Sequence, residues 1–257
     1  MIDAVEVRTE VEIPPGEVAA IREQVASLDR FTDEPIIGAQ LTLRSGPGRT
    51  KDRYVADAHV VFDGRVLAAH VAGPNPREAT DAAVERLRRQ LRRVVGVDVA
   101  RRNEPDEIRK AIADLEPDSS HRPEAGLKPP EEREIVRRRT YAAQPEGTME
   151  AVSEMLDLDE EFHLFVHIRT GEDAVVHWRD DGRVGLIHPR GSILADESDD
   201  IIVTEESWFS DPVPLDTVKA EMDLASLRFL YFIDVADGRG KVMYLRHDGD
   251  YGLVEPE

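Results

Sequence analysis

The sequence predicts an α+β protein: an N-terminal β-α-β-β-β-α domain with two helices on one face of a small sheet, followed by two small, mainly-β repeat domains. Strand-like and helix-like stretches alternate over the first hundred residues, and residues 135–189 align without a gap with residues 202–256 at an offset of 67. We expect domains at 1–97, 134–190 and 201–257. A flexible linker containing a short helix should cover 98–133, and a second linker should cover 191–200.

The N-terminal elements follow from apolar spacing. "AVEVRTEVEI" alternates as a half-buried strand, and the helix that begins at "PPGEVAAIREQ" has apolar residues at helical spacing. Three strands follow in "IIGAQLTLRS", "DRYVADAHVVF" and "RVLAAHVAG", with Asp63-Gly64 as a tight hairpin between the last two. The second helix, "REATDAAVERLRRQLRRVV", has an apolar stripe of Val84, Leu87, Leu91 and Val94.

The repeats are a duplicated folding unit, because 15 of the 55 aligned positions are identical. Each opens with a short strand, continues into a helix and closes with strands around an Asp-Gly turn, in "RDDGRVGLIHP" and "RHDGDYGLVEP". A unit of this size buries only about 60% of its surface, so it gains stability by docking its apolar face on a partner.

Net charge divides the chain unevenly. Residues 1–102 hold 16 basic and 16 acidic side chains, whereas residues 103–257 hold 17 basic and 37 acidic ones, which accounts for the net charge of −20. A polyanion would be repelled by the second part, so any nucleic-acid site belongs in the first hundred residues. The chain has no cysteine and no apolar run approaching about 18 residues, and we expect a soluble cytoplasmic protein with no membrane partner.

The strongest local feature is the arginine cluster of "ERLRRQLRR". A helical wheel places Arg86, Arg89 and Arg93 opposite the apolar stripe, with Arg88 and Arg92 on its shoulder. Planar guanidinium groups bind phosphate well, which favours a nucleic-acid site; the alternative is a solvated helix end whose arginines favour the helix dipole. The connection "RSGPGRTKDR" adds Arg49, Lys51 and Arg53, which could equally be a charged hairpin turn.

Aromatic residues recur in the repeats. The chain has seven Phe, of which four fall at matched positions in the two repeats. Strand positions three apart face opposite sides, so one ring of each pair can fill its own core while the other meets a partner; the alternative is that both are internal. The predicted contact between the repeats comprises Phe162, Phe165, Phe229, Phe232 and Tyr244.

Nothing in the sequence indicates catalysis. His163 and His167 share a strand face, but no third ligand stands at metal-site spacing, and there is no nucleophile motif. We expect neither a metal, a cofactor nor a small-molecule substrate, and we predict that the protein is not an enzyme.

Taken together, these segments resemble the long form of the ribosome hibernation-promoting factor family. The N-terminal stretch is similar to that family's ribosome-binding domain, especially in "AVERLRRQLRR", and both repeats are similar to its C-terminal domain through the paired Phe residues and the "R.DG..GLI.P" pattern. The resemblance implies a non-enzymatic protein that binds the small ribosomal subunit near the decoding centre and blocks mRNA and tRNA from idle ribosomes under stress. It makes the five helix arginines the first rRNA-binding candidates and the three loop cations the second.

The duplication departs from the family pattern. In long forms a single C-terminal domain typically pairs with its copy on another ribosome, whereas the two C-terminal domains of this chain can pair with each other. The 12 residues from 190 to 201 span up to about 40 Å, and tethering favours the intrachain contact. We expect the repeats to pair within the chain, so that single ribosomes are inactivated; the alternative is an exchange of repeats between two chains. A different hypothesis is a regulator that binds a protein through its acidic repeats without binding rRNA.

Overall fold

A computed structural model describes residues 4–32, 34–46, 54–95, 104–113, 128–141, 144–246 and 248–257. The chain separates into two compact units. The first contains the described residues up to Glu107 together with Leu156–Glu160, and the second contains the remainder, including most of both repeats.

The N-terminal unit is built on a four-stranded sheet in the order β1-β2-β3-β4. Its strands are β1 (Val5–Thr9), β2 (Ile36–Ser45), β3 (Tyr54–Phe62) and β4 (Arg65–Gly73). β1 runs parallel to β2, and the other pairs are antiparallel. Asp63 and Gly64 both have positive φ between β3 and β4, as the predicted tight hairpin requires.

Two helices cover one face of this sheet. α1 (Pro15–Ala26) continues into a 3-10 turn (Ser27–Phe31), and α2 (Pro76–Val94) follows β4. The buried residues of both helices join those of the sheet in one apolar core, to which the predicted stripe of α2 contributes all four of its residues. The predicted fold class is confirmed. The prediction succeeded in this segment because the spacing of the apolar residues and the residues in the turns indicate the same elements.

The repeats contain the same elements in the same order. The first has β5 (Ile135–Tyr141), β6 (Pro145–Glu146), α4 (Thr148–Asp157), β7 (Phe162–His167), β8 (Asp173–Trp178) and β9 (Val184–His188). The second has β10 (Ile202–Glu206), α5 (Leu215–Ala225), β11 (Phe229–Ile233), β12 (Gly240–Leu245) and β13 (Tyr251–Pro256). A bridge between Val213 and Asp234 stands where β6 pairs with β7 in the first repeat.

The two repeats exchange their first strands. One sheet has the order β10-β9-β8-β7-β6 and the other β11-β12-β13-β5. β10 therefore runs parallel to β9 of the first repeat, and β5 runs parallel to β13 of the second. The sequence pattern predicted these strands but placed each within its own repeat.

Between the N-terminal unit and the repeats, α3 (Pro105–Ala113) is the short helix predicted in the linker. Much of the rest of the predicted linker, at 98–103 and 114–127, lies outside the described residues. Within the part of the chain that the structure describes, no helix combines the length and apolar character needed to cross a membrane.

Candidate nucleic-acid interface

Helix α2 fixes the positions of the five arginines. Asn75 caps its first turn by accepting a hydrogen bond from the Glu78 N–H at 2.9 Å, and the Glu78 carboxylate accepts one from the Asn75 amide at 2.6 Å. The stripe from Val84 to Val94 is buried against the sheet, which prevents the helix from rotating. The arginines therefore point in fixed directions along about two turns.

Arg86 and Arg93 are bound to carboxylates. The Arg86 side chain is only 11% exposed and lies 2.6 Å from Asp159, while Arg93 pairs with Asp157. Asp157 also accepts from Arg65 at 2.6 Å. The helical wheel places Arg86 and Arg93 opposite the apolar stripe, but both are partly buried, because Leu156–Glu160 covers that side of the helix within the same unit.

The same segment and helix α2 each supply a hydrogen-bond partner to the backbone of β4. Asp159 accepts from the His70 backbone N–H at 2.9 Å, and Gln90 of α2 donates to the Ala68 carbonyl at 2.7 Å. Burial raises the pKa of the Asp159 carboxyl to about 6, although Arg86 and the His70 N–H act in the opposite direction. Ionisation of Asp159 is thus unfavourable in the folded chain.

Arg88, Arg89 and Arg92 form the accessible part of the cluster. Arg89 and Arg92 are exposed, and Arg88 is one-third exposed beside Glu85 at 2.6 Å. The ring of Phe31 lies beneath two of these groups, with the guanidinium carbons of Arg88 and Arg92 at 5.2 and 5.4 Å from its centroid. Cation–π contact holds both planar groups over one ring, although one Arg88 Nη group already donates to Glu85.

No pattern in the sequence indicates a role for Phe31. It lies 57 residues before Arg88, at the end of the 3-10 turn, and only the packing of that turn against α2 brings them together. The second set of candidates, Arg49, Lys51 and Arg53, lies outside the described residues.

A cluster of four rings lies where the two repeats meet. Phe162 stacks on Phe229 with centroids 5.1 Å apart and an interplanar angle of 26°. Phe162 also contacts Tyr244 at 5.7 Å, and Phe229 contacts His177 at 5.2 Å. Because residues 162 and 229 are matched positions, as are 177 and 244, the contacts repeat with approximate twofold symmetry.

Two glycines of the repeated motif leave space for these rings. A Cβ on Gly185 would come within 2.1 Å of the His177 ring, and a Cβ on Gly252 within 2.2 Å of the Tyr244 ring. Each glycine is the cross-strand neighbour of the ring it accommodates. The "G-L" of each motif is thus a packing requirement of the ring cluster.

Phe165 and Phe232 take a different position from the one predicted for them. Phe232 packs with Val218 and Met222 in the core of the second repeat, and Phe165 is fully buried at the matched position. Residues three apart on a strand face opposite sides, so only Phe162 and Phe229 point toward the other repeat. The prediction that all four rings line the contact is corrected to these two together with Tyr244.

Among the described residues, one group of side chains has the geometry of a possible cation site. Oxygen atoms of Glu146 and Glu154 lie within 4.8 Å of each other and of a His163 ring nitrogen. The His163 ring also hydrogen-bonds Glu146 at 3.2 Å, so the cluster is already internally paired. The three residues come from different elements, which is why sequence spacing did not indicate them.

Two family models match most of the chain. The model described as Sigma 54 modulation protein / S30EA ribosomal protein matches residues 5–96, and the model of the C terminus of that family matches twice, at 130–186 and 197–253. The two C-terminal matches are offset by the same 67 residues as the duplication. The matched segments cover the N-terminal sheet and its helices and both repeats, and they define a ribosome-associated class of protein. The chain belongs to the Sigma 54 modulation/S30EA ribosomal protein family, with its C-terminal domain duplicated.

Two similar proteins are named as a translation inhibitor and as a hibernation factor. "Dormancy associated translation inhibitor" of Mycobacterium tuberculosis is 33% identical over 153 residues, which are 52% of this chain and 52% of that protein. "Ribosome hibernation promotion factor" of Bacillus subtilis is 23% identical over 70% of this chain and 94% of that protein. The match thus spans about half the length of the Mycobacterium relative.

A solved structure is similar to part of the chain. The crystal structure of the Thermus thermophilus Protein Y N-terminal domain is 25% identical, covers 36% of this chain and 96% of that chain, and has a TM-score of 0.30.

Proposed function

We propose that this chain is a ribosome hibernation factor: a non-enzymatic, cytoplasmic protein whose N-terminal unit binds the small ribosomal subunit near the decoding centre. There it blocks mRNA and tRNA and stabilises idle ribosomes under stress. The observation that carries the proposal is the open arginine face of α2, formed by Arg88, Arg89 and Arg92 over Phe31. Membership of the S30EA family and the names of its relatives support it.

The electrostatics of the chain favour this site over any other. The first 102 residues are neutral overall, so a polyanion approaching α2 meets no net repulsion from its own unit. Guanidinium groups offer paired donors to phosphate oxygens, and those of Arg88 and Arg92, already held over Phe31, lose less conformational freedom on binding. The bound carboxylates make Arg86 and Arg93 secondary contacts, which become available only if Asp157 and Asp159 move away.

The repeats serve a separate part of the proposal. We propose that they pair with each other within one chain, so that the protein inactivates single ribosomes without joining two. The exchanged strands β5 and β10 and the stack of Phe162 on Phe229 support intrachain pairing. A repeat whose apolar face is already occupied has no equivalent surface left for a second molecule.

The test is sedimentation of purified ribosomes through a sucrose gradient with the full-length protein and with the variant R88E/R89E/R92E. The protein should move with single ribosomes, and reversing three accessible charges should weaken association by at least about 100-fold. Arg86 and Arg93 stay unchanged, because their substitution would leave buried carboxylates unpaired.

The matched control is R137E/R138E/R139E on strand β5, where all three arginines are exposed. It changes the net charge by the same amount and should leave most of the ribosome association in place. Equal loss in both variants would mean that overall charge matters and that α2 does not. Association that survives R88E/R89E/R92E would support instead a regulator that binds a protein through its acidic repeats, and a new peak of ribosome dimers would contradict intrachain pairing.

A further inference from the structure

A buried carboxylate lies where the two repeats face each other. Asp173, at the start of β8, is only 6% exposed. It accepts hydrogen bonds from Arg239 Nε and Nη2, both at 2.9 Å, from the Gly240 N–H at 2.7 Å and from the Tyr141 hydroxyl at 3.1 Å. Its acceptor sites are thus largely filled, and most of its donors come from the second repeat.

The position that faces Asp173 is its own counterpart in the duplication. Residues 173 and 240 are separated by the offset of 67, and a Cβ on Gly240 would come within 2.4 Å of the Asp173 Cβ. The approximate twofold axis therefore passes between these two positions. The matched tripeptides are "GED" (171–173) and "GRG" (238–240), so carboxylates on one side meet a guanidinium and a glycine on the other.

Two copies of the first repeat could not make this contact. Asp173 would face a second Asp173, and Glu172 would stand where Arg239 now donates. Two buried Asp173 carboxylates would then meet without a guanidinium donor, and the two Asp side chains would occupy the same space.

Two copies of the second repeat would fail for the opposite reason. Gly240 would face Gly240, and two Arg239 side chains would meet with no carboxylate between them. The Tyr231 hydroxyl, which donates to the Asp173 carbonyl at 2.6 Å, has Leu164 as its counterpart in the first repeat. This hydrogen bond is therefore also made on one side of the axis only.

We propose that the polar cluster around Asp173 makes the contact between repeats heterotypic: the first repeat accepts a second repeat and rejects a copy of itself. This inference rests on the proposed pairing of the repeats and adds its specificity. The interaction surface of each repeat is complementary to that of the other repeat. A single C-terminal domain can pair with an identical copy of itself, whereas neither repeat of this chain can.

The test exchanges the cluster between the repeats in the full-length chain. One variant gives the first repeat the residues of the second (Y141W, L164Y, E172R, D173G), and another gives the second repeat those of the first (W208Y, Y231L, R239E, G240D). A third carries all eight substitutions, which restores an unlike pair with its orientation reversed.

Each four-substitution variant should lose about 10 °C or more in melting temperature, because it places like charges or an unpaired charge in the contact. The eight-substitution variant should regain most of that loss. If it is no more stable than the less stable four-substitution variant, then the substitutions merely damage each repeat and the proposal is wrong.

Mixing provides a second measurement. The two four-substitution chains complement each other, so their mixture should contain a heterodimer of twice the 28.8 kDa chain mass, whereas neither chain alone should form one. Self-association of either chain as tight as the mixed complex would overturn the proposal. Both measurements are made without ribosomes, and gradient sedimentation of the eight-substitution variant with ribosomes tests the proposed function separately.

Discussion

The arginines of α2 and the basic residues of the repeats carry the same charge in opposite surroundings. In the repeats Arg239 is bound to Asp173, and Lys241 lies among Asp234, Asp237 and Glu255, at 2.7, 2.8 and 3.6 Å. On α2, Arg86 and Arg93 are bound in this way, Arg88 pairs with the partly exposed Glu85, and Arg89 and Arg92 are exposed. A cation that is paired with a buried carboxylate stabilises the fold, whereas a cation on an exposed helix face remains available to bind a polyanion.

Removing a bound cation should have the largest effect on stability. Lys241 is 7% exposed and pairs with three carboxylates, of which Asp234 is only 11% exposed, so Lys241→Met leaves a largely buried negative charge uncompensated. We expect a loss of about 3–5 kcal/mol in the free energy of unfolding, measured by chemical denaturation. Lys219→Met is the control: Lys219 is 29% exposed beside Asp223 at 3.1 Å and should cost about 1 kcal/mol or less. Equal losses would remove the distinction between bound and open cations.

Asp159 tests an arginine of α2 that is bound to a carboxylate, a case between the bound cations of the repeats and the exposed arginines of α2. Its pKa is raised by burial from 3.8 to about 6, so between these values the folded chain holds a proton that the unfolded chain has released. Stability from this group is therefore greatest below about pH 4 and falls as pH rises through 6.

Asp159→Asn removes this titration. The free energy of unfolding of the natural chain minus that of Asp159→Asn should fall by about 2–3 kcal/mol between pH 4 and pH 7. Denaturation across this range measures the difference, in which groups common to both chains cancel. A difference that is constant would show that Arg86 stabilises the Asp159 carboxylate as much as burial destabilises it, and a difference that rises with pH would show that Arg86 stabilises it more.

Substitution of the exposed arginines of α2 should leave folding unchanged and weaken ribosome binding, the opposite of what is expected for Lys241. Arg89→Ala and Arg92→Ala remove exposed side chains, so the free energy of unfolding should change by less than about 0.5 kcal/mol. If each contacts one phosphate, each substitution should reduce the slope of log K against log salt by about 1 in ribosome-binding titrations. An unchanged slope with weaker binding would indicate a contact to protein or to a base.

Local elements of this fold could be predicted from the sequence, and pairings between distant segments could not. The stripe from Val84 to Val94 and the Asp63-Gly64 turn depend on residues close in the chain, and both are as expected. The exchange of β5 and β10 depends on which sheet edge each strand meets, and matched repeats offer two equivalent edges.

The candidate site divides in the same way. The helical wheel located the arginines on α2, but it describes one helix alone. It therefore could not show that Asp157 and Asp159, which lie far away in the sequence, pair with Arg93 and Arg86. Composition also gave no reason to select Asp173 from 53 acidic residues. Its importance follows from the glycine opposite it, which only the three-dimensional pairing shows.

Phe31 should give the smallest effect, because it positions the open arginines without binding the ribosome itself. Phe31→Leu keeps an apolar residue against the core but removes the ring beneath Arg88 and Arg92. Loss of two exposed cation–π contacts of about 0.5 kcal/mol each should weaken ribosome binding by about 3- to 5-fold at low salt. The salt slope should stay unchanged, since no charge is lost. Phe31→Tyr retains a ring and should bind as the natural chain does; if both variants bind alike, the ring does not position the arginines.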